Sequence, residues 1–223
     1  MIPYQVDVPM QRWPYANWAL IACTAVCSVG WLSVEGGLGM LLSVEHFRVY
    51  QPLTAALIHI GPWHLIGNML FLFVFGNAVN AKIGHLPYLG LYVLFAYVSA
   101  AALLLFPGEA EYALGASGAV MGVAGMFLMY YPLNQVSVFT LLIYYPLVFH
   151  LSSAWLLVAF FLLDILGVFS PASGVAHISH LAGFAAGAGV ATVLLLRGTV
   201  KPSRGERSLP EVLGVRVARE TLE

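Results

Sequence analysis

Six stretches, residues 18–34, 63–79, 87–106, 116–131, 152–169 and 177–196, run 16 to 20 residues each and hold a single Asp, Glu, Lys or Arg among them, Asp164. The hydrocarbon core of a bilayer takes about 20 mostly apolar residues in a helix, and lengths from roughly 17 to 25 occur. A soluble domain carries roughly 25% charged residues. This chain of 223 residues carries 9%, against 61% hydrophobic, too little polar surface to clothe a water-facing globule. The pattern predicts an all-α membrane protein, a bundle of six transmembrane helices with a long first outer loop. Three parts follow: a cytoplasmic N-terminal segment (1–17), the six-span domain (18–196) and a basic cytoplasmic tail (197–223).

Charge sets the orientation. With the N-terminus cytoplasmic, Arg12, Lys82, Arg197, Lys201, Arg204, Arg207, Arg216 and Arg219 lie inside and only Arg48 outside, as the positive-inside rule requires. The outer loops then hold Glu35, Glu45, Glu109 and Glu111. No basic stripe interleaves with aromatics, so nucleic acid is not expected as a partner; the lipid bilayer is. The opening "MIPYQVDVPMQRWPYANW" lacks a basic start, short apolar core and cleavage site, so the first apolar stretch reads as a permanent anchor. "VSVFTLLIYYPLVF" (136–149) is short, β-branched and interrupted by Pro146, and reads as a membrane-surface or partly sunken connection. "FRVYQPLTAALIHI" (47–60) suits a helix lying in the interface. The tail reads as a solvated basic end drawn to anionic lipid.

Polar groups inside spans are costly and mark function by default. The second span supplies His64 and Asn68 on one face, with His59 just upstream; the sixth opens with His177 and His180; the fifth holds Asp164. The plain readings are an interfacial or hydrogen-bonded structural histidine at 177 and, for Asp164, a carboxylate reaching water or capping a loop. Cys23 and Cys27 fit a reduced pair packed in a helix, and no metal-ligand spacing is present. Ser117 stands among glycines in "GASGAVMG" at the head of the short fourth span, where its first turn would lie beneath the surface. Gly118, Gly122 and Gly125 make a small-residue face, and Gly183 and Gly187 make another on the sixth span. Closing those faces would bring Ser117 beside His180, a weak nucleophile beside the base that can activate it. Asn68, His64 and the Ser117 backbone N–H are donors suited to the oxyanion that follows. No carboxylate is evident near His180, so a dyad is expected.

Taken together, "HIGPWHLIGN" (59–68), "GASG" (115–118) and "HLAGFAAG" (180–187), in that order on six spans, resemble the rhomboid family of intramembrane serine proteases. The likeness runs from the outer loop before His59 through the sixth span. It implies Ser117 as nucleophile, within a motif whose glycines are Gly115 and Gly118. It implies His180 as general base, since His177 lacks the glycines three and seven positions on. His64 and Asn68 would stabilise the oxyanion, with His59 in support. The implied activity is a serine endopeptidase that cleaves transmembrane segments of other membrane proteins near the outer face through an acyl-enzyme, without metal or cofactor. The implied location is a cell membrane, or the inner membrane of a bacterium, spanned several times with both termini cytoplasmic. Two departures stand out. Tyr50-Gln51 replaces a Trp-Arg pair common in the first outer loop, and Met121 replaces an aromatic residue that often packs on the catalytic histidine. Its thioether holds a ring less rigidly. The alternatives are a rhomboid-like factor that binds or chaperones membrane proteins without catalysis, whose kind usually lacks the serine or histidine, and a small transporter, for which no repeat between halves exists.

Overall fold

The computed structural model describes residues 2–31, 33, 37–107, 111–142, 145–170 and 175–219. Glu35 and Glu109 lie outside the described residues, as do residues 32 and 34 of the first apolar window and the last four of the tail.

Each apolar window forms a helix. α1 (Tyr15–Trp31) is followed by the short α2 (Gln51–Ala56). α3 (Gly61–Phe71) runs through a π-helical turn (Leu72–Gly76) into α4 (Asn77–Ile83), one continuous rod. α5 (His85–Leu105), α6 (Ser117–Tyr130), α7 (Ser153–Val168), α8 (His177–Leu196) and the one-turn α9 (Leu209–Val212) complete the order. Gly61–Ile83, His85–Leu105 and His177–Leu196 are long and apolar enough to cross a membrane; α1, α6 and α7 are apolar but shorter, at 17, 14 and 16 residues.

α6 is the axis of the bundle, buried over most of its length between α5 and α8. The reason is the absence of side chains on the facing strips. A Cβ on Gly183 would strike the carbonyl oxygen of Gly118, one on Gly187 that of Gly122, and one on Gly125 that of Phe184. The expected closure of the two glycine faces is therefore what holds these backbones together.

Consecutive helices alternate in direction, so the protein has two ends. At one lie β1 (Ile2–Val6), the turn between α4 and α5, and the tail; at the other lie α2 and the N-termini of α3, α6 and α8. The stretch 136–149 forms no helix among its described residues. It falls in an antiparallel hairpin, β4 (Gln135–Leu142) and β5 (Tyr145–Ser152), and β4 also pairs with β1. Its β-branched and aromatic residues favour strand pairing, and Pro146 is tolerated because β5 is an edge. A second small ladder joins β2 (Leu42–Ser43) to β3 (Tyr112–Ala113) at the opposite end. Only six residues of the expected interfacial segment are helical, and Gln51, Pro52, Ala55 and Ala56 of that helix are buried against protein.

The tail meets its expectation in part. Its arginines are exposed, but a segment between them is docked: Lys82 Nζ lies 2.7 Å from Glu206 Oε2 with both side chains under a tenth exposed, and donates to Ser203 Oγ at 2.9 Å. Ser208 and Glu211 then form a capping box on α9, and Arg219 pairs with Glu211 at 2.7 Å. The docking is not legible in the sequence because its partner, Lys82, is more than a hundred residues away.

At the same end, Asn17 organises the π-turn. Its Nδ2 donates to the Leu72 carbonyl and to Asn77 Oδ1, both at 2.8 Å, and its Oδ1 accepts from Tyr88 Oη at 2.6 Å. Gly76 leaves the space that the Asn17 amide and the Tyr88 hydroxyl fill.

Candidate active site

The site is assembled at the N-terminus of α6. Gly115 has φ +111°, a conformation open to glycine, and a Cβ there would come within 2.7 Å of the His64 ring. The chain can turn sharply into the helix only with that position empty. The Gly115 N–H donates to the Ala55 carbonyl at 2.9 Å, and the Ala116 N–H donates to His59 Nε2 at 3.2 Å.

Because His59 Nε2 accepts a proton there, its Nδ1 carries the ring hydrogen and donates to Ser28 Oγ at 3.1 Å, and that hydroxyl donates onward to the Leu57 carbonyl at 2.9 Å. His59 thus ties α1 to the turn before the serine. Burial, with the charge of His64 nearby, pulls its imidazole down to about 4, so the ring is neutral at physiological pH.

Ser117 is the first residue of α6, half-buried, and its Oγ lies 2.7 Å from His180 Nε2. The pair expected from the glycine faces is therefore formed. Its backbone N–H belongs to the first turn, where no intrahelical acceptor exists, and so remains a donor to anything bound there. His64 packs edge-on against His59, ring centroids 4.9 Å apart, and borders the serine's turn through Gly115. Asn68 is buried one turn further along α3; its Nδ2 spends one hydrogen on the His64 carbonyl at 3.0 Å and keeps a second. Gly118 lies against Ser99 of α5, which lets that helix close on the site. A cavity of about 50 Å³, lined in part by Ser117, Ser99 and Ser179, opens beside the Ser117 hydroxyl; that is ample for water.

The expectation that no carboxylate lies near His180 is overturned. Asp164 Oδ1 is 2.9 Å from His180 Nδ1, and the same oxygen is 2.7 Å from His177 Nδ1. Asp164 stands near the C-terminal end of α7 and the two histidines on the first turn of α8. Antiparallel neighbours joined by a short connection bring those ends together, and the lone charged residue of the apolar windows was the available signal. The plain reading of Asp164 as a loop cap gives way, while His177 takes the hydrogen-bonded structural form of its plain reading, with Asp164 as its partner. The three side chains are 11 to 16% exposed. Their ligand atoms lie within 4.8 Å of one another, a spacing that a metal ion can also bridge. No ion is needed to account for it, since protons on the two Nδ1 atoms satisfy the carboxylate.

The two departures also find their places. Met121 is buried in the main core. What flanks the His180 ring is His177, edge-on at 79° with centroids 6.1 Å apart. Gln51 helps to brace the segment between α1 and α2, its Oε1 accepting from the Arg48 N–H at 2.8 Å and its Nε2 reaching the Gly39 carbonyl at 3.4 Å. Cys23 and Cys27 are free thiols 4.0 Å apart.

The family model of the Rhomboid domain matches residues 46–197, 152 of the 223 residues. No curated protein matches the chain. The matched segment contains every residue of the cluster around Ser117 except Ser28. The chain is a membrane protein of the rhomboid family.

Proposed function

We propose that the protein is an intramembrane serine endopeptidase that cleaves transmembrane segments of other membrane proteins. The observation that carries this is the 2.7 Å contact between Ser117 Oγ and His180 Nε2 at a helix N-terminus. His180 takes the hydroxyl proton as Ser117 Oγ bonds to the scissile carbonyl carbon, and the carbonyl oxygen becomes an oxyanion. The Ser117 N–H, the second hydrogen of Asn68 Nδ2 and the His64 ring are its donors, and the partial positive charge of the α6 N-terminus favours it. Collapse breaks the peptide bond, and the proton on His180 passes to the leaving nitrogen. Water from the adjoining cavity then repeats the sequence on the acyl-enzyme, with His180 as base, and restores Ser117. Neither departure from the family pattern removes a reacting group.

The test uses a fluorophosphonate probe and a co-expressed transmembrane substrate. The wild-type protein is labelled and cleaves, and Ser117→Ala does neither while inserting normally. Folded wild-type protein that takes no label overturns the protease and leaves the non-catalytic membrane-protein binding factor as the reading.

A further inference from the structure

We infer that Asp164, held by His177, positions His180, so that a triad works where the family likeness implied a dyad; this rests on the protease reading above. The tautomer is the first argument. An ionised carboxylate accepts and cannot donate, so the 2.9 Å contact requires the ring hydrogen of His180 on Nδ1. The lone pair is then on Nε2, the atom 2.7 Å from Ser117 Oγ. A neutral imidazole free of such a partner divides between two tautomers, and the one with its hydrogen on Nε2 cannot take the serine proton.

Charge is the second argument. When His180 accepts that proton it becomes an imidazolium, and Asp164 is the carboxylate against it. Opposite charges in a partly dehydrated site attract far more strongly than in water. Among the described residues, the groups facing His180 are Ser117 from α6, Asp164 from α7 and His177 on its own helix, with His64 of α3 within electrostatic reach.

His177 supplies the third. It stands one turn before His180, and its Nδ1 donates to the same Oδ1 at 2.7 Å, which fixes the carboxylate's rotamer. A side chain on Gly167 would collide with the His177 ring, so α7 is notched to receive it. The edge-on His177 ring then restrains His180 from the side. Buttressing that Met121 gives less rigidly is thereby supplied by α7 and α8. Asp164 and His177 are positioning residues and touch no reacting atom.

The experiment compares wild-type, Asp164→Asn and His177→Gln proteins in cleavage and probe labelling across pH. In triads of known serine proteases the corresponding aspartate-to-asparagine change lowers kcat about 10⁴-fold through the wrong tautomer. Asp164→Asn is expected to lower kcat at least about 100-fold with KM little changed, and to slow labelling in step without abolishing it. The acid limb of kcat/KM should move to lower pH, because the carboxylate no longer favours the protonated ring; a merely structural defect would leave that limb in place. His177→Gln is expected to lower kcat about 3- to 10-fold, and it decides the matter if Asp164→Asn does not fold. Variants that fold, label at the wild-type rate and keep the wild-type acid limb overturn the inference. So does stoichiometric zinc in the active wild-type protein that is lost in Asp164→Asn. Failure of the protease reading is separate: it is the absence of Ser117-dependent label in the wild type.

Discussion

Two polar networks stand at opposite ends of the bundle. The one around Asn17 joins Leu72, Asn77, Asn80 and Tyr88; it is neutral, and both Asn17 and Tyr88 are almost wholly buried. The one around Ser117 joins two histidines and an aspartate; it is built of ionisable side chains and borders a cavity. The first ties α1 to the π-turn and to α5, with Asn17 donating to the Leu72 carbonyl and accepting from the Tyr88 hydroxyl. The second leaves a hydroxyl and an N–H facing open space. Polarity inside a membrane protein therefore does not by itself mark a site; a network with reactive capacity left over does.

The comparison breaks most sharply at Ser117. Ser117→Ala should abolish cleavage and labelling, a loss of about 10⁴-fold or more, while the unfolding transition stays within about 0.5 kcal/mol of wild type. The reverse pattern belongs to the other end. Lys82→Met strands Glu206 in a buried position and should cost about 3–5 kcal/mol in denaturant unfolding, with Ser117 still labelled in protein that remains folded. Asn68→Ala sharpens the active end, since losing one oxyanion donor costs roughly 2.7–4 kcal/mol in the barrier, read as a fall of about 10²–10³ in kcat. Asn17→Ala leaves the Leu72 carbonyl and the Tyr88 hydroxyl without their partner. It should destabilise by about 2–3 kcal/mol with labelling unchanged in the folded protein. The smallest effect is a titration. His59 binds its proton more weakly folded than unfolded, so its contribution is complete above about pH 6.5 and is lost as pH falls towards 4. Thermal melts should show about 2 kcal/mol lost by pH 5, and His59→Gln should flatten that slope.

Much of the active end was legible because its signals are local. Glycines at positions 118, 122 and 125 face 183 and 187 at helical spacing, and spacing alone brings Ser117 to His180. His64 and Asn68 share a face for the same reason. Asp164 was not legible as a partner, because nothing in its neighbourhood says that the end of α7 meets the first turn of α8. The strand pairing of Gln135–Ser152 was not legible for a related reason. Apolar, β-branched residues beside a proline suit a membrane surface as well as a strand, and only β1, far away in sequence, decides between them. The docking of the tail was not legible because its basic residues outnumber its acids, and the one buried pair that docks it, Lys82 with Glu206, joins groups more than a hundred residues apart.

The sequence by itself determined where the helices lie, which of their faces close, and which serine and histidine meet. These follow from hydrophobic length and from glycine spacing, which act within a turn or two of helix. Tertiary structure alone decided what stands behind the histidine, what the N-terminal strand pairs with and where the tail docks. Those are meetings of groups separated by a dozen to more than a hundred residues. Their stability comes from hydrogen bonds and charge pairs made only after the helices have packed.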